Sequence, residues 1–433
     1  MQFVFVAGGM GIRSGSDTPK LLTEVNGIEL HRSQLISIQS FTIEDFSILY
    51  LLGHSAEVIE NFLKENYEGV INYSIFKEPK NYGTGGALIQ GLQHLESEFV
   101  LVLGDLYFDF AFNEFVQYCR VRNSEMGIVL HPNGHSFDSD NVLTSSETNT
   151  LLNVLPKSKK NTTGIRSNLS VAGIYYFKKF SCWSNSRFCE SKLEVLDDLI
   201  SPNLSEIQNP VGYITTEFVK DTGTPERRQL VSQIVGSNKH LRRSLRIPKP
   251  VIFVDKDDTL VQDGDDAAVT LNPKVGRAIQ GINEEQIPLI GISNQPRVAK
   301  GERLSNAENI FRTLGLKLDE FNAFVDIWYF CPHHPDAGFS EENRYFKVDC
   351  KCRKPRTGLI DFAKADHNVE VADSYFIGDT KIDFQLCKNS NLNFLHTTEF
   401  SACKIAEKHV CLEDTSTALE YAKNKILTRS GKL

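Results

Sequence analysis

Val251-Ile252-Phe253-Val254-Asp255-Lys256-Asp257-Asp258-Thr259 is a run of four apolar residues that stops on a carboxylate. Consecutive β-branched and aromatic residues suit a strand buried on both faces, the kind found inside a parallel sheet. A carboxylate ending such a strand sits where open α/β sheets place their ligand sites, outside the carboxyl ends of the strands. The pattern recurs downstream, where Pro288 to Ile292 runs into Ser293-Asn294 and Ser374 to Ile377 runs into Gly378-Asp379. In the first half, Phe3 to Val6, Phe46 to Leu52, Phe99 to Leu103 and Met126 to Leu130 have the same character, with helical patterns between them. Both halves are therefore predicted to be α/β.

A chain of 433 residues exceeds one ordinary core, so two domains are expected, each able to bury its own interior. The stretch Gly236 to Pro250 loses periodicity, gathers basic residues and ends with Pro248 and Pro250. This places domains at 1–235 and 250–433, joined by a solvated connector over 236–249. No internal repeat or low-complexity segment interrupts either. The hydrophobic fraction of 41% and charged fraction of 24% are ordinary for a globular protein, and a net charge of -8 argues against one built to bind nucleic acid. No run is long enough for a membrane span, and a strand begins at Gln2 without a charged leader, so a cytoplasmic protein with no membrane partner is expected. Three of the nine cysteines crowd into Cys331 to Cys352 beside histidines, which suits a metal better than a disulfide framework.

The C-terminal motifs describe phosphoryl chemistry. Asp255 can attack phosphorus while Asp257, two residues on, protonates the leaving alcohol and then activates water, which splits hydrolysis into two easier steps. Ser293 offers a hydroxyl and Lys354 a fixed cation to the phosphoryl oxygens. A dianionic ester facing carboxylates calls for Mg2+, with Asp255, Asp257, Asp379 and Asp383 as candidate ligands or supports. Cys331-x-His333 with Cys350-x-Cys352 supplies three thiolates and an imidazole, a closed set for structural Zn2+, in which His334 competes with His333 for the fourth place. Arg353 and Lys354 follow the last cysteine, so the zinc loop would fix two cations that meet the substrate phosphate, with Asn294 beside them.

This set resembles the haloacid dehalogenase superfamily. Cys331-Pro332-His333-His334-Pro335 and Cys350-Lys351-Cys352-Arg353-Lys354-Pro355 are similar to the signatures of its D,D-heptose 1,7-bisphosphate phosphatases and the related histidinol-phosphate phosphatases. The resemblance implies a parallel sheet from about Pro248 onward, with a zinc loop. No long insert separates Asp257 from Ser293 or Lys354 from Asp379, so no large cap domain is expected. Asp258 stands where close relatives often have glycine.

The N-terminal half opens on Ala7-Gly8-Gly9-Met10-Gly11-Ile12-Arg13, a strand running into a glycine loop whose amides can cradle phosphate oxygens. Arg13 and Lys20 add cations. Glu78 with Gly83-Thr84-Gly85-Gly86 adds a second glycine-rich turn, and Asp105 and Asp221 each follow or end a strand, as carboxylates bridged by Mg2+ would. Together these resemble the sugar-1-phosphate nucleotidylyltransferases, with a Rossmann-like, GT-A-like mixed sheet, and within them the heptose-1-phosphate guanylyltransferases. The resemblance implies that Arg13 stabilises the leaving pyrophosphate, that Lys20 meets the attacking and α-phosphates, and that Asp105 and Asp221 hold the metal. Gly83, Thr84 and Gly85 would line the base, while Gly173 and Glu194 would face the sugar. Ile12 replaces the threonine usual in this loop, and Leu103 stands where relatives often have asparagine.

The pairing implies two consecutive steps: a 7-phosphate is removed from D-glycero-α-D-manno-heptose 1,7-bisphosphate, and the heptose 1-phosphate is then activated with GTP. The α-anomer is implied because that branch of these families leads to GDP-heptose. Alternatives are a mannose-1-phosphate or other hexose-1-phosphate nucleotidylyltransferase joined to a sugar or histidinol phosphatase, or a phosphatase regulated by a sugar-nucleotide-sensing N-terminal half.

Overall fold

A computed structural model describes residues 1–8, 18–145, 148–159, 167–178, 192–262, 269–336, 338 and 340–430. The chain forms two compact units, Met1–His131 with Phe137–Leu241, and Pro132–Ser136 with Arg242–Leu433.

In the first unit, alternation along each strand sends successive side chains to opposite faces. Phe3 and Phe5 of strand Gln2–Val6 pack with Tyr50, Leu52, Val100 and Val102 on one face, and Val4 and Val6 pack with Leu49, Leu51, Phe99 and Leu101 on the other. Two cores therefore sandwich one mixed sheet. From one edge it runs Leu151–Leu155, Asn141–Thr144, Leu169–Lys178, Glu98–Leu103, Gln2–Val6, Ser47–Leu52 and Tyr73–Lys77, with Met126–Pro132 and Val211–Ile214 branching beside Leu169–Lys178. The last four strands of that path are mutually parallel, whereas Leu169–Lys178 runs antiparallel to Glu98–Leu103. The chain crosses from one side of Gln2–Val6 to the other between Tyr73–Lys77 and Glu98–Leu103. The carboxyl ends of Gln2–Val6 and Glu98–Leu103 thus flank the crevice where such sheets bind ligands.

The second unit has a sheet of six strands that are parallel at every pairing, in the order Ile327–Cys331, Leu289–Asn294, Ile252–Val254, Tyr375–Gly378, Asn393–Thr397, Val410–Leu412. Numbered within the unit this is 3-2-1-4-5-6, the order of the doubly wound dinucleotide-binding folds. Ile252 and Val254 face one core, and Val251 and Phe253 the other. Asn272 caps the helix Pro273–Glu284 through its side chain, and Thr380 and Asp383 form a capping box on the helix Lys381–Ser390. Between Asp257 and Ser293, and between Lys354 and Asp379, the described residues hold one α-helix each, so both intervals are spent on ordinary crossovers.

The connector departs from expectation. Its basic residues were expected in solvent, yet Arg243 is buried in an ion pair with Asp326 at 2.6 Å and also donates to Gln286. The Lys249 ammonium is buried against the carbonyls of Ser244 and His367. Each cation meets an acceptor set by the fold of the second unit, which offsets part of the desolvation penalty that would otherwise hold it in water.

Candidate functional site

The second unit gathers its carboxylates at the crossover between Ile252–Val254 and Tyr375–Gly378. Asp255 follows the first strand and Asp379 follows the second, while the capping box turns the Asp383 carboxylate inward. Oxygens of Asp255, Asp379 and Asp383 lie within 4.8 Å of one another. Lys354 is buried among them, its Nζ 2.8 Å from Asp255 Oδ2 and 2.7 Å from Asp383 Oδ1. It also donates to the Ile292 carbonyl. Burial would lower the lysine, but Asp255 and Asp383 outweigh it and push its pKa up. Burial raises Asp255, with Lys354 opposing and Asp383 adding to the rise. Burial, helped by Asp383 and Asp258, raises Asp379 to about 7. Three carboxylates against one ammonium leave negative charge that a hard dication with oxygen ligands would relieve, so the residues fit Mg2+. Asp257 is outside this group, because its carboxylate is bonded to the Lys256 ammonium and accepts from Gln295 Nε2 at 3.0 Å.

Gln295 has no counterpart in the sequence reading. Its amide donates to Asp257 Oδ2 and to the buried Ser293 Oγ at 2.9 Å, so one side chain positions both. Its own backbone N–H is held by the Cys331 carbonyl at 2.8 Å. Asn294 and Lys354 exchange bonds: the Lys354 N–H donates to Asn294 Oδ1 and Asn294 Nδ2 to the Lys354 carbonyl. Asp258 has φ +51°, the left-handed region that glycine enters freely and Asp tolerates. The Asp258 N–H closes the turn on the Val261 carbonyl at 2.8 Å.

Cys331, His333, Cys350 and Cys352 present four donor atoms within 4.8 Å of one another. The sulfurs are 3.2 to 3.5 Å apart, and His333 Nδ1 lies 3.2 Å from Cys352 Sγ. These separations far exceed a disulfide bond of about 2.05 Å and approach the edges, about 3.6 to 3.8 Å, of a tetrahedron around zinc. His334 Nδ1 instead accepts from the Asp336 N–H, so His333 is the imidazole in the set. The cluster could hold zinc. Arg353 donates to the His333 carbonyl, which leaves Lys354 as the cation of this pair placed at Asp255.

In the first unit, Lys20 Nζ pairs with Asp105 Oδ2 at 2.7 Å. A Cβ on Gly223 would lie 2.8 Å from Asp221 Oδ1, 2.9 Å from Asp105 Oδ2 and 3.3 Å from Lys20 Nζ, so all three groups converge on that glycine. Asp221 is also bonded to Arg227, which the sequence reading did not single out. The Thr222 N–H and hydroxyl both hold the Asp105 carbonyl at 2.8 Å, tying the two carboxylate-bearing segments together. Gly8 follows Gln2–Val6 and touches Glu78, whose Oε2 is buried without a hydrogen-bond partner among the described residues and whose pKa burial raises to about 7. Gly9, Gly11, Ile12 and Arg13 lie outside the described residues.

The second glycine turn packs against the segment at Leu193 and Glu194. Gly83 has φ +79° and, with Gly85, lets the backbone of Leu193 and Glu194 pass in contact. The Gly85 N–H is taken by the Leu193 carbonyl at 2.8 Å, and the Thr84 hydroxyl donates to Glu194 Oε2 at 2.6 Å. Thr84 and Glu194, which the resemblance places at the base and the sugar, thus partner each other. Gly173, with φ +82°, is buried against Leu103 and Leu106 and serves the close packing of the sheet.

The chain matches the nucleotidyl transferase family over residues 7–228. Among curated proteins it is 31% identical over 151 residues to the D-glycero-beta-D-manno-heptose-1,7-bisphosphate 7-phosphatase of Yersinia pestis, covering 33% of this chain and 77% of that one. It is 30% identical over 139 residues to the protein of the same description from Haemophilus ducreyi, covering 30% and 72%. Among solved structures, HddC from Yersinia pseudotuberculosis aligns over 54% of this chain and 99% of its own, with 18% identity and a TM-score of 0.44. The chain is a fusion that belongs to the nucleotidyl transferase family and to the family of the heptose-bisphosphate phosphatases.

Proposed function

We propose that the second unit removes the 7-phosphate from D-glycero-α-D-manno-heptose 1,7-bisphosphate, and that the first unit joins the remaining 1-phosphate to GTP, giving GDP-heptose and pyrophosphate in the cytoplasm. The observation that carries this reading is the presence of both families on one chain, because the 1-phosphate left by the phosphatase is the nucleophile that a sugar nucleotidyl transferase needs. The curated relatives are described for the β-anomer. The α-anomer is proposed here because the chain pairs the phosphatase with a guanylyltransferase-like half.

In the phosphatase half, an Asp255 oxygen attacks phosphorus and the bond to the sugar oxygen breaks, the leaving oxygen taking a proton from Asp257. Asp257 then takes a proton from water, whose oxygen displaces Asp255 from phosphorus and releases phosphate. Lys354 opposes the rise that burial imposes on the attacking carboxylate, and Gln295 aims Asp257 and Ser293. Asp255, Asp379 and Asp383 would hold Mg2+, which would supply the positive charge that lets a dianionic ester approach these carboxylates. Cys331, His333, Cys350 and Cys352 would hold a structural zinc, which would fix the strand end whose carbonyl holds Gln295.

In the nucleotidyl transferase half, a sugar-phosphate oxygen attacks the α-phosphorus of GTP and pyrophosphate leaves. Lys20, Asp105 and Asp221 converge where the phosphates and a second Mg2+ would meet. The buried Glu78 carboxyl, one oxygen of which has no hydrogen-bond partner among the described residues, suits the adjacent N–H donors of guanine, which adenine does not present. The test is incubation of the purified chain with the α- or the β-bisphosphate, Mg2+ and GTP or ATP, followed by mass spectrometry. GDP-heptose with phosphate and pyrophosphate from the α-anomer is the expected result. Phosphate without any nucleotide-sugar removes the guanylyl assignment, and phosphate from the β-anomer alone removes the anomer assignment.

A further inference from the structure

We propose that the second unit carries another zinc site, built from His396, Cys403, His409 and Cys411 beside the candidate active site. Donor atoms of these four residues lie within 4.8 Å of one another. His396 belongs to strand Asn393–Thr397 and Cys411 to strand Val410–Leu412, and the parallel register sets them opposite each other. His396 Nδ1 is 3.4 Å from Cys411 Sγ. The intervening loop returns Cys403 and His409 to the same point, with Cys403 Sγ 3.4 Å from His409 Nε2. A tetrahedron with zinc bonds of about 2.3 Å to sulfur and 2.0–2.1 Å to nitrogen has sulfur–nitrogen edges of about 3.6 Å. Both contacts approach that length.

The nitrogens that face away from the cluster distinguish a ligand set from a chance encounter of side chains. His396 Nε2 is 2.9 Å from the Asp379 carbonyl, and His409 Nδ1 is 2.7 Å from the Glu407 carbonyl. A carbonyl only accepts, so each of these nitrogens carries the proton, and the lone pair of each ring falls on the nitrogen turned to a sulfur. Two imidazoles face two thiols and are held in the metal-binding tautomer by backbone carbonyls, the kind of support that histidine ligands of zinc typically have. The donor set, two sulfurs and two nitrogens in a closed arrangement, selects zinc over the hard cations. Cys403 and Cys411 are exposed, so metal can enter from solvent. The site also lies one hydrogen bond from the active centre, because the carbonyl that orients His396 belongs to Asp379, the candidate magnesium ligand.

The experiment is a zinc count by inductively coupled plasma mass spectrometry on the full chain, purified under reducing conditions and dialysed against metal-free buffer. Two zinc ions per chain are expected, falling to one in Cys411→Ser, to one in His409→Gln, and to one in Cys350→Ser. The zinc that stays in Cys411→Ser, and leaves only when Cys350 is also replaced, reports that the unit has folded. In the cobalt-substituted parent the thiolate charge-transfer band should arise from five thiolates, and in Cys403→Ser/Cys411→Ser from three. One zinc in the parent, or two retained in Cys411→Ser, overturns the proposal. So does a Cys403–Cys411 disulfide in freshly isolated protein that holds a single zinc.

Discussion

Lys354→Met is the most searching perturbation of the second unit, because it keeps the side chain's length and removes only the ammonium. That ammonium lies 2.8 Å from Asp255 and 2.7 Å from Asp383, with the lysine side chain 3% exposed. Removing one partner of a buried ion pair costs about 3–5 kcal/mol, chiefly because the other charge stays buried and uncompensated. Here two carboxylates are stranded, so the upper part of that range is expected without metal. The pH dependence has a definite sign. A carboxylate raised in the folded state contributes fully below its unfolded pKa of about 3.9 and loses stability as pH rises through its folded pKa. The parent already has Asp255 and Asp379 raised, and the variant pushes Asp255 further. The deficit should therefore be largest near pH 8, shrink towards pH 5 as the stranded carboxylates take up protons, and shrink again when Mg2+ neutralises them. Urea unfolding read by Trp328 fluorescence in a Trp183→Phe background isolates this unit, since Trp328 stacks on Phe311 in its core. A variant within about 1 kcal/mol of its parent at pH 8 without Mg2+, or a deficit that grows on acidification, would refute the reasoning.

Asp255→Asn should abolish phosphate release and leave nucleotidyl transfer intact, and a phosphate assay beside a pyrophosphate assay separates the two; persistent phosphate release would remove Asp255 as nucleophile. Gln295→Leu deletes the amide shared by Asp257 and Ser293. With each such bond worth about 1 kcal/mol, kcat for phosphate release should fall roughly tenfold or more with a smaller change in KM, which steady-state kinetics would detect. His31 is fully buried between Tyr50 and Gln34, and burial lowers its pKa to about 4 against the opposing Gln34 bond. The unfolded chain then binds a proton that the folded one refuses, so stability of the first unit should be lost as pH falls from about 6.5 to 4, by about 3 kcal/mol in all. His31→Phe should lose that part of the acid dependence in pH-resolved melting, and an unchanged slope would exclude the assignment.

Most of the fold could be read along the chain because it rests on local pattern. Runs such as Phe3 to Val6 and Val251 to Val254 are apolar at every position, and only a strand covered on both faces satisfies them. The carboxylate that ends Val251 to Val254 was legible for the same reason, since a strand terminus at a sheet crossover is a fixed place in this architecture. The short spacing Cys331-x-His333 and Cys350-x-Cys352 likewise announces itself. Gln295 had no such signal: an amide two residues past a strand is ordinary, and its importance comes from what it reaches. The basic connector misled because composition reports charge but not whether Asp326 or a carbonyl waits to receive it.

What the sequence by itself determined was the chemistry on offer and the strand ends that carry it, because apolar runs, glycine turns and short ligand spacings act within a few residues. Only the tertiary structure decided which groups meet. Sheet register brought His396 opposite Cys411, and the loop between them returned Cys403 and His409 to the same point. The capping turn of Lys381–Ser390 swung Asp383 onto Lys354, and the backbone at Asp336 drew His334 away from the sulfurs. Thr84 and Glu194, 110 residues apart, found each other across the first unit. Contacts of that kind follow from strand order and crossover geometry, which no local pattern of residues encodes.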